Sequence, residues 1–282
     1  MDKFYEFLKY IALGLAQGIT EPLPISSSGH MMIVDSIFGK VLPDAAMNNF
    51  QIIVNFASLL AIIFYYRFLI KELIIGSWNY VVRKKQEDKP KFTYVLLILL
   101  ASIPAGIVGI IIKIYDLDQY YTNILFVGIC LFITGILLLY IHKAAPTANR
   151  EEITWKDSLL IGSAQALGIL PGISRSGVTT SFGVSNKVSL ESALRFSFMM
   201  YIPASIGAAC LGAYDIYKTA DQISGPISGY IGAFIASLLG TYFAIKLFFN
   251  LVKKKNLKYF GIYCIVVSLI VLTLIATGVF TW

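Results

Sequence analysis

Apolar runs dominate the chain, and polar residues collect between them. Five runs contain no charged residue: 92–112, 122–141, 196–214, 222–245 and 259–282. A sixth, 50–66, is shorter and is bounded by Arg67. Each is near the ~20 residues that cross a hydrocarbon core as a helix. Two further apolar segments, 10–20 and 158–170, are short and are soon broken by proline and a Ser/Gly turn. They predict re-entrant segments. The expected fold is all-α and integral to the membrane, with six transmembrane helices and two re-entrant helical hairpins near 7–38 and 158–190.

The two broken segments repeat one phrase. Residues 16–30 read AQGITEPLPISSSGH and residues 164–178 read AQALGILPGISRSGV, in a constant register of 148 residues. Three predicted crossings lie between the copies and three follow the second. An odd number of crossings per half sets the halves in opposite orientations. The chain therefore divides into two inverted repeats, 1–145 and 146–282, which together make one membrane domain. Short broken segments at corresponding places in two halves mark a site at the repeat interface. Exposed turns at membrane depth are tolerated only against protein or a water-filled cavity. A polar cavity is thus expected before any chemistry is considered.

Composition agrees: 57% of the 282 residues are hydrophobic and 14% are charged. The net charge of +7 is unevenly placed. The 67–91 connection carries Arg67, Lys71, Arg83, Lys84, Lys85, Lys89 and Lys91 against three acids, and 253–258 carries four lysines. The connections 40–49, 113–121 and 215–221 carry Lys40, Lys113 and Lys218 against five aspartates. This asymmetry puts 67–91, 142–157 and 253–258 in the cytoplasm and both termini outside. It argues against a nucleic-acid partner, since the basic excess is topological. Cys130, Cys210 and Cys264 lie in apolar runs without metal-ligand spacing and read as packing residues. The N-terminus shows no small-residue cleavage site and is not read as a signal peptide. Pro104, Pro203 and Pro226 are expected to kink or start helices. Gly207, Ala208, Gly212, Gly229, Gly232 and Gly240 are expected at close helix contacts. The polar stretch 83–91, RKKQEDKPK, is expected to be a flexible loop.

The turns carry the candidate chemistry. Ser26, Ser27, Ser28 and Gly29 precede an apolar stretch and form a helix start whose amides and dipole favour an anion. The second turn has the same form around Ser174 and Ser176 and adds Arg175, whose fork matches phosphate oxygens. Such turns cap helices in any protein. Here, however, Glu21, His30 and Arg175 are ionisable groups at expected membrane depth, where they are costly and functional by default. His30 follows Ser27 by three residues and shares its helical face; His142, at a helix end, is assigned no role. Gln17 precedes Glu21 by four residues, so both face one way. With substrate phosphates they would offer oxygens to a hard cation, Mg²⁺ or Ca²⁺, with Glu21 as its one carboxylate. Phosphatase chemistry through a nucleophilic histidine would need a second histidine after the Ser-Arg pair, and none follows Arg175. A serine nucleophile remains, with His30 or Glu21 as base.

These residues resemble a known family. Gln17-x-x-x-Glu21 is similar to an (E/Q)xxxE motif, and PISSSGH with PGISRSGVT resembles the paired signatures of the BacA-type undecaprenyl-pyrophosphate phosphatases. The resemblance covers essentially the whole chain. It implies a multi-pass enzyme of the bacterial cell membrane that removes the terminal phosphate of undecaprenyl diphosphate. The product is the monophosphate carrier lipid of cell-wall synthesis. It further implies bacitracin resistance on overproduction and dependence on a divalent cation. Carried over by motif, Ser27, Glu21, His30 and Arg175 form the catalytic group. Gln17, Ser26, Ser28, Ser174, Ser176 and Thr179 lie near the diphosphate. The chain departs from the family at Gln51 and Asn55, where many members have a glutamate and a glutamine. The active site is expected to open outward. The partners are the lipid substrate and membrane lipids, and a homodimer is compatible with the chain. The rival reading is a polyprenyl-phosphate flippase or transporter, which needs a phosphate cradle and no nucleophile.

Overall fold

The computed structural model describes residues 2–39, 44–121, 123–218, 226–253 and 257–280. Among these the chain forms eleven α-helices and no β-strand. Helices α1 (Asp2–Thr20) and α2 (Ser27–Ile37) make a first hairpin. Then follow α3 (Asp44–Tyr65), the shorter α4 (Arg67–Val81), α5 (Lys89–Ile114) and α6 (Ile124–Ala144). Helices α7 (Trp155–Leu167) and α8 (Arg175–Ser185) make a second hairpin. The chain ends with α9 (Leu190–Lys218), α10 (Ile227–Lys253) and α11 (Leu257–Ala276).

Among the described residues six helices are long and apolar enough to cross a membrane: α3, α5, α6, α9, α10 and α11. These are the six runs anticipated from sequence, with shifted ends. Helix α9 begins at Leu190 and takes in Glu191 and Arg195, which pair at 3.0 Å one turn apart. Helix α10 starts after Pro226 and runs through Lys246 to Lys253. A charge-free run marks the apolar part of a helix, whereas backbone hydrogen bonding continues beyond it. Lys40, residues 219–225 and Lys254 lie outside the described residues.

Residues 67–91 correct the expected loop. Helix α4 follows α3 after a break at Tyr66, and RKKQEDKPK is a tight turn whose end already belongs to α5. Lys84 takes φ 60°, and Pro90 lies in the first turn of α5. The carboxylate of Asp88, one residue before α5, accepts hydrogen bonds from Asn79 (3.2 Å) and Lys91 (2.9 Å). Its acid therefore ties α4 to α5. Pro104 and Pro203 lie inside α5 and α9, while Pro226 precedes α10.

Each hairpin lies against a helix from the other half of the chain. Helix α1 packs along α10, and α7 packs along α5. Both contacts are made at glycine. A Cβ on Gly14 would collide with the Ala233 backbone, and one on Gly162 with the Ala101 backbone. Gly14 and Gly162 are 148 residues apart. Without a solvent-driven hydrophobic effect, helices in lipid associate through such close packing and through polar contacts. Helix α6 packs along α11, and α3 contacts α9 and α10. A buried hydroxyl chain joins α3 to α10. Thr241 donates to Ser58 (2.9 Å), Ser58 lies 3.0 Å from Ser237, and Ser237 donates to the Val54 carbonyl (2.7 Å). Gly212, Gly229, Gly232 and Gly240 meet Ile52, Tyr10, Phe7 and Gly18 respectively, as expected of packing residues. Gly207 is an exception, with open space where a Cβ would stand. Cys130 and Cys264 are buried, Cys210 is exposed, and all three are free.

The hairpin bases are tied differently. Arg150 grips the buried Asp157 carboxylate with two hydrogen bonds (2.6 and 2.7 Å). Thr154 caps α7 by accepting from the Asp157 amide and donates to the same carboxylate, as does Asn186 at the end of α8. Burial alone would raise the Asp157 pKa; the hydrogen bonds from Arg150, Thr154 and Asn186 outweigh it and hold the group well below the usual carboxylate range. The positions equivalent to Asp157 and Asn186 in the first hairpin are Lys9 and Phe38. There Lys9 Nζ donates to the Phe38 carbonyl at 3.1 Å.

The glycine contacts give a direct test. Gly14→Ala should destabilise the purified protein by about 1–3 kcal/mol, the usual cost of overpacking. Gly207→Ala should leave the thermal midpoint unchanged. Equal midpoints for the two variants would refute the close α1–α10 contact.

Candidate active site

The two turns meet tip to tip. The amide of Gly172 donates to Ser26 Oγ at 3.1 Å, and the Gly29 amide donates to the same oxygen at 3.3 Å. Thr134 of α6 clamps the second turn from behind. Its hydroxyl donates to the Gly172 carbonyl (2.8 Å) and accepts from the Ser174 amide (3.0 Å). A Cβ on Gly29 would stand 3.0 Å from Gly172 Cα, so the approach needs glycine at 29. Gly172 itself takes φ 93°, and Ser26 holds the left-handed φ of 69° against its preference. Ser26 caps α2, and Ser174 caps α8 by accepting from the Gly177 amide at 3.1 Å. Both turns are therefore helix N-termini with outward amides, as the Ser/Gly pattern predicts.

Glu21 stands at the centre. Its Oε2 accepts from Ser27 Oγ at 2.6 Å and from Gln17 Nε2 at 2.9 Å. Its Oε1 accepts from Arg175 Nη2 at 3.1 Å, an ion pair between the two hairpins. The side chains of Glu21 and Arg175 are only 7% and 15% exposed, so each charge depends on the other. Arg175 also donates through Nη1 to the Ser197 carbonyl (3.3 Å) and lies over the Tyr201 ring, 4.1 Å from its centroid. Thr179, fully buried, lies 2.7 Å from the Ser197 hydroxyl. Ser174 and Ser176 lie within 3.4 Å of each other, as do Ser26 and Ser28.

Gln17, Glu21, Ser27 and Arg175 thus form one hydrogen-bonded group, with Ser26 and Ser28 beside it and Ser174, Ser176 and Thr179 in the facing turn. His30 is the exception. It shares a helical face with Ser27, but its ring turns to α11. Nδ1 lies 2.8 Å from the Ser26 carbonyl, Nε2 lies 2.9 Å from the Tyr263 hydroxyl, and the two rings stack. A carbonyl only accepts, so Nδ1 carries the hydrogen and Nε2 accepts from Tyr263. Neither nitrogen is directed to Ser27. Of the two bases the sequence left open, Glu21 is the one in contact with Ser27.

Four contributors escaped the sequence reading: Thr134, Ser197, Tyr201 and Tyr263. Each is a polar-tipped residue inside an apolar run. Ser197 and Tyr201 are four apart, a helical-face spacing that could have singled them out. Asn55, noted only as a departure from a family pattern, accepts from the Tyr201 hydroxyl at 2.7 Å. Gln51 lies half-buried one turn before it. No cluster of three metal-binding side chains occurs among the described residues. Both Glu21 oxygens are already engaged, one by a cation, and Gln17 turns its donor nitrogen to them. This donor set does not form a resident metal site.

The family model for bacitracin resistance protein BacA matches residues 10–270. The chain belongs to the BacA family. It is 41% identical over 277 residues to undecaprenyl-diphosphatase 2 of Bacillus thuringiensis (strain Al Hakam), covering 98% of this chain and 99% of that protein. It is 39% identical over 276 residues to undecaprenyl-diphosphatase of Oceanobacillus iheyensis, covering 96% and 98%. The corresponding protein of Acholeplasma laidlawii is 37% identical over 279 residues, covering 97% and 99%. A BacA family member with six long apolar helices is a multi-pass membrane protein.

The clamp at Thr134 yields a prediction. Thr134→Val keeps the shape but strands a carbonyl and an amide, which costs about 1–3 kcal/mol when such groups stay buried. The thermal midpoint should fall and the site should lose activity. A variant as stable and active as the parent would show that the turn holds its shape without Thr134.

Proposed function

We propose that this chain is an undecaprenyl-diphosphatase: it hydrolyses the terminal phosphate of undecaprenyl diphosphate and returns undecaprenyl phosphate for cell-wall synthesis. The hydrogen bond between Ser27 and Glu21 carries the reading. A flippase needs donors for a phosphate but has no use for a hydroxyl held 2.6 Å from a carboxylate. The names of the relatives favour the same side. The family description names bacitracin resistance.

In this reading Ser27 Oγ attacks the terminal phosphorus and its proton passes to Glu21 Oε2. The bond to the bridging oxygen breaks, and undecaprenyl phosphate leaves. Water then cleaves the phosphoserine: its hydroxyl goes to phosphorus, Glu21 returns its proton to Ser27 Oγ, and water's remaining proton leaves with inorganic phosphate. Arg175, the hydroxyls of Ser174 and Ser176, and the N-termini of α2 and α8 stabilise the phosphoryl charge. Arg175 turns from Glu21 toward the phosphate, which frees the carboxylate to accept the proton. His30 braces the Ser26 carbonyl and with it the strained turn. Gln17 orients Glu21, while Ser26, Ser28 and Thr179 shape the diphosphate cradle. The site supplies one carboxylate already paired with a guanidinium, so Mg²⁺ or Ca²⁺ belongs to this reading as a companion of the diphosphate. No chemical step is assigned to it.

The architecture proposed with this function is an inverted repeat whose hairpins are re-entrant. The exchange of packing partners, α1 on α10 and α7 on α5, supports it. The basic 67–91 segment lies in the cytoplasm of a bacterial cell, and the site opens outward. Nothing in the chemistry depends on pairing as a homodimer.

Ser27→Ala should abolish phosphate release from a C15 or C55 prenyl diphosphate while the protein still folds. Arg175→Lys should fail to restore it, since loss of such a donor costs on the order of 10²–10³ in rate and a point charge lacks the fork. An active Ser27→Ala enzyme would move the nucleophile elsewhere. Activity should need added Mg²⁺ or Ca²⁺ and disappear in EDTA; full activity in EDTA would mean that Arg175 and the helix N-termini neutralise the diphosphate alone. A cysteine at Lys85 should resist labelling from outside intact cells, and ready labelling there would overturn the orientation.

A further inference from the structure

We infer that Tyr201 is a positioning residue for Arg175 and that Asn55 holds Tyr201 in that role. The inference rests on the phosphatase reading and extends it to two residues on helices outside the hairpins.

A guanidinium has five N–H donors, all in its plane. In this site two contacts occupy the edge, to Glu21 and to the Ser197 carbonyl. The face is occupied by the Tyr201 ring, 4.1 Å from Cζ to centroid. A ring beneath the face fixes the plane and consumes no donor. The remaining in-plane N–H groups stay available for two phosphate oxygens. Tyr201 is 4% exposed, so the cation–π contact is desolvated and strong. The ring is itself fixed at its far end, where its hydroxyl donates to Asn55 Oδ1 at 2.7 Å and also meets Ser205 and the Glu21 carboxylate. Asn55 comes from α3 and Tyr201 from α9, so two spanning helices set the angle of a side chain carried by a hairpin. The chain from Asn55 through Tyr201 and Arg175 to Glu21 and Ser27 is continuous. When Arg175 exchanges Glu21 for a phosphate, the stacked ring keeps its plane through the exchange.

The test uses the purified full-length protein with a prenyl diphosphate, and inorganic pyrophosphate as a separate binding probe. Tyr201→Leu should lower kcat on the order of 10–30-fold, the loss of a desolvated cation–π contact, with KM changed much less. Asn55→Ala removes the tie to the hydroxyl, and Tyr201→Phe removes the hydroxyl itself with its contacts to Ser205 and the Glu21 carboxylate; each should lose about 2–10-fold. Combined, they should lose no more than Tyr201→Phe alone. In an Arg175→Ala background, Tyr201→Leu should have no further effect on rate. Pyrophosphate should raise the thermal midpoint of the parent, less so with Tyr201→Leu, and not at all with Arg175→Ala. A Tyr201→Leu enzyme within twofold of the parent would overturn the inference. So would losses that multiply in either double variant, which mark independent structural roles. If Tyr201→Leu does not fold, the Tyr201→Phe and Asn55→Ala pair decides alone. Absence of prenyl diphosphate hydrolysis by the parent would count against the phosphatase reading instead, and the pyrophosphate shift would still report on Tyr201.

Discussion

Two broken helices whose tips meet away from water must satisfy each other's polar groups, and everything in the site follows from how they do it. The Gly172 amide has Ser26 as its partner, in the opposite hairpin. The Gly172 carbonyl and the Ser174 amide have Thr134. Unpaired, each buried group would cost about 1–3 kcal/mol. The turns are therefore held in contact, and two helix N-termini are brought to one place. Their dipoles and free amides create a positive environment, into which the Glu21–Arg175 pair is set. An ion pair this buried contributes little net stability, because desolvation offsets attraction. Its value lies in what it specifies: a carboxylate beside a serine and a guanidinium beside the space a phosphate would fill.

That specification comes from two unequal copies of one sequence. At the 148-residue spacing, Ser27 corresponds to Arg175 and Glu21 to Ile169. One copy supplies the hydroxyl and the carboxylate, the other the guanidinium. Two identical copies would have put like beside like, with two arginines or two glutamates facing each other and repelling. What stayed alike is the frame: Gln17 and Gln165, Gly14 and Gly162, Ser26 and Ser174, Gly29 and Gly177. Gly14, Gly162 and Gly29 make close backbone contacts and Ser26 and Ser174 make caps, while Gln17 bonds the Glu21 carboxylate. Ser27, Glu21 and Arg175 sit at positions that differ between the two copies.

Much of this was legible beforehand because membranes simplify the code. Length and absence of charge identify a spanning helix, and proline with a Ser/Gly turn identifies a broken one. So the six long helices, both hairpins and the grouping of Gln17, Glu21, Ser27 and Arg175 could be read directly. What was not legible had physical reasons. A run that mixes Phe68, Ile74 and Trp78 with Arg67 and Lys71 looks like a connection, yet it packs on α5 as a helix. Asp88 and Lys91, read as solvated loop charges, make the tie. His30 shares a face with Ser27, but helical spacing fixes only the direction of Cβ. The ring then rotates toward whichever partner is better placed, here the Ser26 carbonyl and Tyr263. Tyr201 stayed invisible because an aromatic in an apolar run is ordinarily packing. Its role depends on Arg175, 26 residues earlier in sequence and on another element.

The hairpin bases add a further asymmetry that bears on how the site holds its shape. In the second hairpin, Asp157 joins Arg150, Thr154 and Asn186, and Arg150 also bonds the carbonyls of Glu152 and Asn186. Its backbone pairs with the chain at Lys187 and Ser189, closing the mouth of the hairpin with a short bridge. Such a network of charge-assisted bonds is cooperative, since each holds the geometry the others need. In the first hairpin the same positions carry Lys9 and Phe38, where the Lys9 ammonium donates to the Phe38 carbonyl and lies 6.0 Å from the centre of its ring. The second hairpin is thus fixed at its base by Asp157 and at its tip by Thr134. The first is fixed at its tip by Ser26 and His30 and at its base by Lys9. The guanidinium is carried by the second hairpin. Ser27 and Glu21 are carried by the other hairpin, whose tip meets it where the two turns touch.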